Sequence, residues 1–256
     1  MIYGLYLSAQ GVQTASHRQD VVSNNIANAE TVGFKKDLAL FQQRRTALQE
    51  QGTAPARSNR LLEMLGGGVQ INPTLVDNSQ GEMEHTGSHL DVAIVGEGFL
   101  RVSDGGDETL LTRAGRMVVN AKGHLALANN ENYEVLDPKG KPITLAGKTP
   151  PEIARDGTIT QDKAVAGRIG LVAVPDKNQL SKIGGTMLAY PDVKSLKPAP
   201  AATSVRAEYV ERANVEPSTE LAQLMDAQRQ LEANANMIRY QDQMLSKLCN
   251  EVGKIG

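Results

Sequence analysis

Apolar and small residues recur at steps of three and four along the first 30 residues of the chain. The series is interrupted at Gln19 alone, and this spacing places its members on one face of a helix. Its members are Ile2, Leu5, Ala9, Val12, Ala15, Val22, Ile26 and Ala29. The pattern therefore predicts an N-terminal helix.

The C-terminal part of the chain has the same rhythm over a longer stretch. Pro217 suits the first position of a helix, and ten positions then follow in steps of three and four. They are Leu221, Leu224, Gln228, Leu231, Ala235, Ile238, Asp242, Leu245, Cys249 and Val252. About 34 residues at about 1.5 Å each predict a helix roughly 50 Å long. A domain of this size cannot cover such a helix, so we expect much of it to find partners elsewhere.

The middle of the chain consists of short apolar runs separated by turn signals such as "SDGGDE", "NAKG" and "DPKG". Runs of four to seven residues with Gly and Asp between them are typical of hairpins. The predicted fold class is α+β, in which long terminal helices form a coiled-coil-like bundle and a hairpin-rich all-β domain lies between them. The predicted segments are an N-terminal axial helix and turn (1–36), an extended connector (37–84), the β domain (85–190), a linker (191–213) and a C-terminal axial helix (214–256).

The stretch "NNIANAETVGFKK" (24–36) ends the first helix with concentrated turn chemistry. Asn and Gly tolerate the left-handed backbone conformation that terminates helices, and an apolar residue after the turn packs back on the last helical turn. We therefore predict a junction turn between the first helix and the rest of the chain. Its residues are Asn24, Asn25, Asn28, Gly33 and Phe34.

Composition excludes several classes of function. A formal net charge of −2 argues against nucleic-acid binding, which depends on an excess of Lys and Arg. No uncharged segment reaches the roughly 18 residues of a membrane span, and the apolar N-terminus lacks the basic start of a secretory signal. The single cysteine, Cys249, cannot form an intrachain disulfide. We expect neither membrane insertion nor a cleaved signal peptide.

Two histidines have the spacing of a metal site. His85 and His89 are four residues apart, as zinc ligands on one helix face would be. The "TGS" between them indicates a loop, and a third ligand is not evident. We interpret both as ordinary loop histidines and expect no metal.

Other short motifs also favour turns over binding loops. "GEG" (96–98) lacks the third glycine of a dinucleotide loop, and "GGG" (66–68) lacks the Lys-Ser or Lys-Thr of a phosphate loop. Asp104, Asp107 and Glu108 lack the ligand spacing of a calcium loop and suit a hairpin turn. No Ser/His/Asp or Cys/His pairing can be argued. The sequence predicts no enzyme, no cofactor and no small-molecule substrate.

Both helical stripes contain small or polar residues where an isolated core would carry Leu or Ile, such as Ala9, Gln228 and Asp242. An apolar stripe is usually core, but this composition at both chain ends favours packing between subunits. The predicted assembly interface consists of Ile2, Leu5, Ala9, Val12, Val22, Ile26, Leu221, Leu224, Leu231, Ile238, Leu245 and Leu248.

Three blocks of the sequence resemble the flagellar basal-body rod and hook proteins. "SNNIANAETVGFKK" is similar to the N-terminal signature of that family, and "TGSHLDVAIVGEGFLRV" with "LTRAGRMVVNAKGHLAL" is similar to its central β module. "YVERANVEPSTELAQLMDAQRQLEANANMIRYQDQMLSKL" resembles its C-terminal helix. The short linker at 191–204 and the ending "NEVGKI" favour the proximal-rod type over the distal-rod type.

The resemblance implies a structural subunit of the bacterial flagellar rod in the periplasmic space. It implies self-assembly with copies of the chain and with other rod and hook proteins, and uncleaved export by the type III apparatus of the flagellum. Both terminal helices would lie in an inner tube and the β domain outside it, so that the Asn-rich turn redirects the chain between them.

One alternative belongs to a different class of protein. A soluble adaptor or export-cap protein could use the same helices to hold flagellar axial partners transiently. An adaptor would be absent from the assembled rod, whereas a subunit would be part of it.

Overall fold

A computed structural model describes residues 2–45, 66–106, 108–147 and 149–252 of the chain. In these residues a long helix precedes a strand-rich region and a second long helix follows it. Helix α1 spans Ile2–Ala27 and α2 spans Pro217–Val252. The predicted α+β class is confirmed. Two short 3₁₀ helices, Lys177–Gln179 and Val193–Ser195, lie between the strands.

Helix α2 begins as the sequence predicts. Pro217 occupies its first position, where a missing N–H costs no hydrogen bond, and Glu220 places a carboxylate in the first turn, where the helix dipole favours negative charge. The helix has 36 residues and α1 has 26. Among the described residues, neither helix combines the length and the apolarity that crossing a bilayer requires.

The strands are short and mostly joined by tight turns. In chain order they are β1 (Asp37–Gln43), β2 (Val69–Val76), β3 (Met83–His85), β4 (Val92–Val95), β5 (Phe99–Ser103), β6 (Thr109–Thr112), β7 (Met117–Val119), β8 (Leu125–Leu127), β9 (Asn130–Val135), β10 (Glu152–Ile153), β11 (Thr158–Gln161), β12 (Ala164–Arg168), β13 (Leu171–Ala173), β14 (Ser181–Gly184), β15 (Met187–Ala189), β16 (Lys197–Pro198), β17 (Ser204–Ala207) and β18 (Tyr209–Glu211).

The largest sheet runs in the order β14-β15-β6-β5-β9-β8-β7, and β13 with β16 joins it beside β5. The strand pairings within this sheet are antiparallel. Strands β10 to β12 form a separate sheet, while β17 pairs with β4, β18 with β3, and β1 with β2.

Strands also occur outside the predicted β domain of 85–190. Strands β1 and β2 lie in the predicted connector, and β16 to β18 lie in the predicted linker. Strands β17 and β18 pair with residues more than 100 positions earlier, at β4 and β3. Strands of three or four residues are too short to show a clear period-two pattern, so local spacing did not reveal β17 and β18.

The chain divides into two compact units. The terminal unit comprises 1–26, 37–74 and 217–256, and the strand unit comprises 27–36 and 75–216. The chain therefore passes from one unit to the other four times. All described members of the three hydrophobic clusters belong to the strand unit, and the largest cluster contains fully buried residues such as Leu100, Leu125 and Ile159.

Candidate junction and assembly surface

The predicted junction turn begins where α1 ends. Within the strand unit, the Thr31 backbone N–H donates to the Asn28 carbonyl at 3.0 Å, and the Phe34 N–H donates to the Thr31 carbonyl at 3.2 Å. Gly33 has φ +72°, the left-handed conformation that side chains disfavour. Its N–H donates to the Glu211 carbonyl at 2.7 Å. The turn is therefore attached to strand β18.

Glycine is also required at position 33 because a side chain would not fit there. A Cβ atom there would lie 2.2 Å from the backbone nitrogen of Ala114 and 2.4 Å from the carbonyl carbon of Arg113. Both neighbours are backbone atoms, which cannot move aside as a flexible side chain can. Conformation and contact therefore both demand glycine at this position.

Phe34 anchors the end of the turn. Its side chain is 1% exposed and packs with Ala213 and Val215 in a small hydrophobic cluster. The Lys182 ammonium lies 3.7 Å from the ring centroid, within the range of a cation–π interaction. Phe34 thus joins the start of the strand unit to its last segment.

Three buried charged side chains lie directly beside this turn. The Lys35 Nζ is 2.5 Å from Glu211 Oε1, and the Arg113 Nη1 is 3.1 Å from Glu211 Oε2. All three side chains are at most 5% exposed. Burial lowers the pKa of Lys35 below its ordinary value, and the charge and hydrogen bond of Glu211 oppose this shift.

Backbone groups complete this buried charge cluster of Lys35, Arg113 and Glu211. Lys35 Nζ donates to the Ser79 carbonyl at 2.6 Å, and the Gly81 N–H donates to Glu211 Oε1 at 2.9 Å. Arg113 Nη2 donates to the Gly96 carbonyl at 2.8 Å. A buried carboxylate is tolerated when cations and N–H groups surround it in this way. The cluster therefore joins the segments around residues 35, 80, 113 and 211.

Asn214 ties the same segments through its side-chain amide. Its Oδ1 accepts from the Lys36 N–H at 2.8 Å, and its Nδ2 donates to the Asp77 carbonyl at 2.9 Å. The Asp77 N–H in turn donates to the Lys36 carbonyl at 2.9 Å. The chain leaves or enters the strand unit at 36/37, 74/75 and 216/217, so these bonds fix the spacing of three of its four passages.

Two of the predicted turn residues lie in the helix instead. Asn24 and Asn25 belong to the last turns of α1, so the prediction that they form the turn is wrong. Asn25 is 2% exposed and belongs to the terminal unit. Its Oδ1 accepts from the Asp37 N–H at 2.9 Å, and its Nδ2 donates to the Asp37 carbonyl at 2.9 Å and to Glu220 Oε2 at 3.3 Å. Asn25 thus ties α1 to β1 and to α2.

The predicted assembly residues differ widely in exposure. Leu221 is 53% exposed and Leu248 is 42% exposed, whereas Val22 is buried at 4%. Ala9 is exposed, and the side chain of Ile2 lies outside the described residues. The remaining members are half-buried: Leu5, Val12, Ile26, Leu224, Leu231, Ile238 and Leu245.

The terminal unit exposes further large apolar side chains that the sequence reasoning missed. Met237, Tyr240 and Met244 are 51%, 62% and 53% exposed, and with Leu248 they follow the spacing i, i+3, i+7, i+11 of one helix face. We call these four residues the α2 ridge. Their spacing was visible in the sequence, but the Leu and Ile series beside it gave the stronger pattern.

The motifs interpreted as ordinary turns and loops serve local structure, although His85 is the last residue of strand β3 and does not lie in a loop as predicted. His85 Nε2 and His89 Nδ1 lie 3.6 and 3.0 Å from the Glu208 carboxylate, and all three side chains are exposed. Asp104 accepts from the Gly106 N–H at 3.1 Å in a turn, while Asp107 lies outside the described residues. In the part of the chain that the structure describes, no group of three or more His, Cys, Asp or Glu side chains is arranged to hold a metal ion.

Comparison with known proteins gives matches at both ends of the chain. The family described as "Flagella basal body rod protein" matches residues 5–35, and "Flagellar basal body rod FlgEFG protein C-terminal" matches residues 206–251. The first match covers most of α1 and the junction turn. The second covers β18, Glu211, Asn214 and nearly all of α2.

Individual relatives match over nearly the full length. The flagellar basal-body rod protein FlgF of Caulobacter vibrioides is 32% identical over 255 residues, covering 98% of both chains. The rod protein FlgG of Bacillus subtilis is 29% identical over 269 residues, covering 98% of this chain and 99% of the relative. FlgG of Agrobacterium fabrum is also 29% identical, over 267 residues.

Proposed function

The chain belongs to the family of flagellar basal-body rod proteins, and from this premise we propose that it assembles into the rod through its terminal unit while its strand unit folds independently. Its relatives are structural proteins, so the chain is a structural subunit of the flagellar rod and not an enzyme. Their names favour this function over the adaptor or export-cap alternative.

The observation that carries the proposal is the unequal exposure of apolar side chains. Among the described residues, most of the large hydrophobic side chains that are exposed belong to the terminal unit. They are Tyr6, Leu7, Leu38, Leu40, Val69, Leu221, Met225, Met237, Tyr240, Met244 and Leu248. A concentration of exposed apolar side chains in one unit is typical of a surface that another protein covers.

In this proposal, helices of neighbouring subunits cover α1, α2 and the α2 ridge. The contacts form a coiled-coil-like bundle in the inner tube, with the strand unit outside it. Each newly buried large side chain contributes on the order of 1.5–3 kcal/mol, which offsets the cost of ordering the helices. Contacts between two different patches of successive subunits need not close into a ring, so they can extend along a helical rod.

The buried charge cluster and Asn214 give this arrangement its geometry. They hold the chain passages at 36/37, 74/75 and 216/217 at fixed spacing inside the strand unit. We infer that this spacing presents both terminal helices to the rod in a defined way. The predicted domain boundaries are part of this proposal. Residues 1–36 and 214–256 contain the axial helices, and residues 85–190 form an outer β domain.

Partners and location follow from the same proposal. The partners are copies of this chain, other rod and hook proteins, and the type III export apparatus that delivers the subunit to the periplasmic part of the rod. The proximal-rod type is our proposed subtype, supported by the short linker at 191–204 and the ending "NEVGKI".

Cross-linking mass spectrometry of purified basal bodies tests this function. We expect the chain in that fraction, with cross-links from Lys247, next to the α2 ridge, to the terminal helices of neighbouring subunits. Absence of the chain from washed basal bodies, together with its presence in the soluble fraction, would contradict the proposal and favour the adaptor.

A further inference from the structure

Three contacts define how α1 and α2 pair within the terminal unit. A Cβ atom on Gly4 would lie 2.8 Å from Gln241 Nε2, and one on Gly11 would lie within 2.6–2.7 Å of the Asn234 amide atoms. Near the other end, Asn25 Nδ2 donates to Glu220 Oε2 at 3.3 Å. The two residue numbers add to 245 in each pair, so the helices are antiparallel.

These contacts recur in a regular seam. On α1 the seam takes alternate steps of four and three from Gly4 to Asn25, and on α2 it takes matching steps from Gln241 back to Glu220. Interpolation between the three observed contacts gives the layers Gly4/Gln241, Ser8/Ile238, Gly11/Asn234, Ala15/Leu231, Arg18/Ala227, Val22/Leu224 and Asn25/Glu220. Burial agrees with this assignment, since Ser8, Ala15, Val22, Asn25, Glu220 and Ala227 are all at most 7% exposed.

The apolar layers cannot define the register by themselves. Leu224, Leu231 and Ile238 repeat every seven residues, so a shift of one heptad places a similar side chain in each position. The layers with a polar residue do distinguish one register from another. A shift of one heptad in either direction removes the Asn25–Glu220 hydrogen bond and separates at least one amide from its glycine.

Each amide also fits its glycine closely. The Asn234 side chain occupies the volume that a Cβ on Gly11 would need, and its Nδ2 donates to the Gln230 carbonyl at 2.8 Å. Polar groups in a helical seam cost stability relative to Leu, and their established benefit is to select one register. Gln241 Oε1 shows that cost, because it is buried without a hydrogen-bond partner among the described residues.

We propose that Gln241, Asn234 and Glu220, with Gly4, Gly11 and Asn25 opposite them, are the determinants that select the register of the terminal helix pair. The register decides which part of α2 has no α1 residue opposite it. In the observed pairing Ile2, the first residue of α1, lies opposite Gln243, so this is the segment that carries Met244, Leu245 and Leu248. The inference deepens the proposed function, on which its consequence for rod assembly rests.

Disulfide trapping measures the register directly in the purified full-length chain, concentrated until the amides of α1 and α2 are protected from hydrogen exchange. In a Cys249→Ser background, Ser8→Cys with Ile238→Cys reports the observed register, and Ser8→Cys with Leu231→Cys reports a shift of one heptad. A shift of seven residues moves the helices by about 10 Å, beyond the Cα separation that a disulfide spans. With the determinants intact, we expect the first pair to oxidise at least about tenfold more than the second.

The double variant Asn234→Ala/Gln241→Ala removes both amides without adding bulk. We expect it to reduce this ratio to about twofold or less, because the apolar layers repeat every heptad and the single Asn25–Glu220 hydrogen bond is then the register-specific contact that remains. A second variant, Asn234→Leu/Gln241→Leu, strengthens apolar pairing and is expected to reduce the ratio likewise. An unchanged ratio in the alanine variant, or loss of both disulfides, would overturn the proposal.

Swimming of the alanine variant separates this inference from the proposed function. A reduced ratio together with impaired swimming is expected. A reduced ratio with normal swimming would leave the register assignment standing and contradict its role in the rod. A wild-type ratio would refute the register assignment whatever the strain does.

Discussion

The two units of this chain differ in how far they bury their apolar side chains. In the strand unit, Leu100, Leu125 and Leu127 are 0% exposed within a continuous cluster, whereas in the terminal unit Met237 and Tyr240 are 51% and 62% exposed. Among the described residues of the terminal unit, the buried apolar side chains are four small or β-branched residues of α1 and α2: Ala15, Val21, Val22 and Ala227. The strand unit therefore has its own core, whereas the terminal unit buries few apolar side chains within itself, as expected if partners cover it in our proposal.

Glu211→Gln should weaken the strand unit most. It leaves Lys35 and Arg113 buried without their common counter-charge, and removing one partner of a buried ion pair costs about 3–5 kcal/mol. The measurement is urea unfolding followed by the strand signal. Lys177→Met is the matched control, since the pair between Lys177 and Glu97 at 2.8 Å is exposed and its loss is expected to leave the midpoint unchanged. Equal midpoints for both variants would contradict the role of the cluster.

Gly33→Ala should have the second-largest effect on the stability of the strand unit, and it should stop swimming. A non-glycine residue at positive φ costs about 1–3 kcal/mol, and the overlap with the Ala114 backbone adds to this. Gly105→Ala is the control, because Gly105 has φ +89° but nothing within 4 Å of its Cβ position. The account fails here if both strains swim equally well, since only Gly33 has the close contact.

Met244→Ser tests whether the exposed apolar side chains of the terminal unit serve assembly. Met244 is 53% exposed, so the stability of the free chain should change by no more than about 0.5 kcal/mol. Rod assembly and swimming should nevertheless be impaired, because the α2 ridge loses apolar area. Ile183→Ser, at 59% exposure in the strand unit, should leave both properties intact. Impaired swimming with Ile183→Ser and normal swimming with Met244→Ser would reverse the assignment.

The smallest expected effect is the pH dependence that Lys35 contributes. Its pKa in the folded chain lies below the ordinary 10.5. Between these two values the unfolded chain binds more protons, so the free energy of unfolding rises with pH, by at most about 1.4 kcal/mol per pH unit. Lys35→Met should lack this rise in unfolding curves measured up to pH 10.5. Parallel pH dependences for the two chains would show that the pKa of Lys35 is not lowered.

The sequence was sufficient for elements defined by local spacing. Steps of three and four predicted both α1 and α2, and Gly33 was expected to have the unusual backbone conformation that it has. The buried charge cluster could not be predicted, because Lys35, Arg113 and Glu211 are distant in sequence and meet only after β18 pairs with β3. A lysine after a turn gives no local sign that its side chain will be buried.

The seam of the helix pair was also hidden by the stronger apolar pattern. On α1 the sequence indicated Leu5 and Val12, but Gly4 and Gly11 are the residues that adjoin the amide side chains of α2. Glycine carries no weight in a hydrophobic pattern, although its lack of a side chain is what allows an amide to enter the seam. The predicted assembly residues remain a prediction that the experiments above address.

Hydrogen exchange on the dilute, unassembled chain tests the central claim most directly, namely that the strand unit is stable alone while the terminal unit is stabilised by assembly. Exchange protection follows local stability, and isolated helices with little buried area are marginal in water. We predict fast exchange over α1 and α2 and slow exchange over the core strands β4 to β9, with the helices becoming protected in assembled rods. Protection of the helical amides in the free chain equal to that of the core strands would contradict the account.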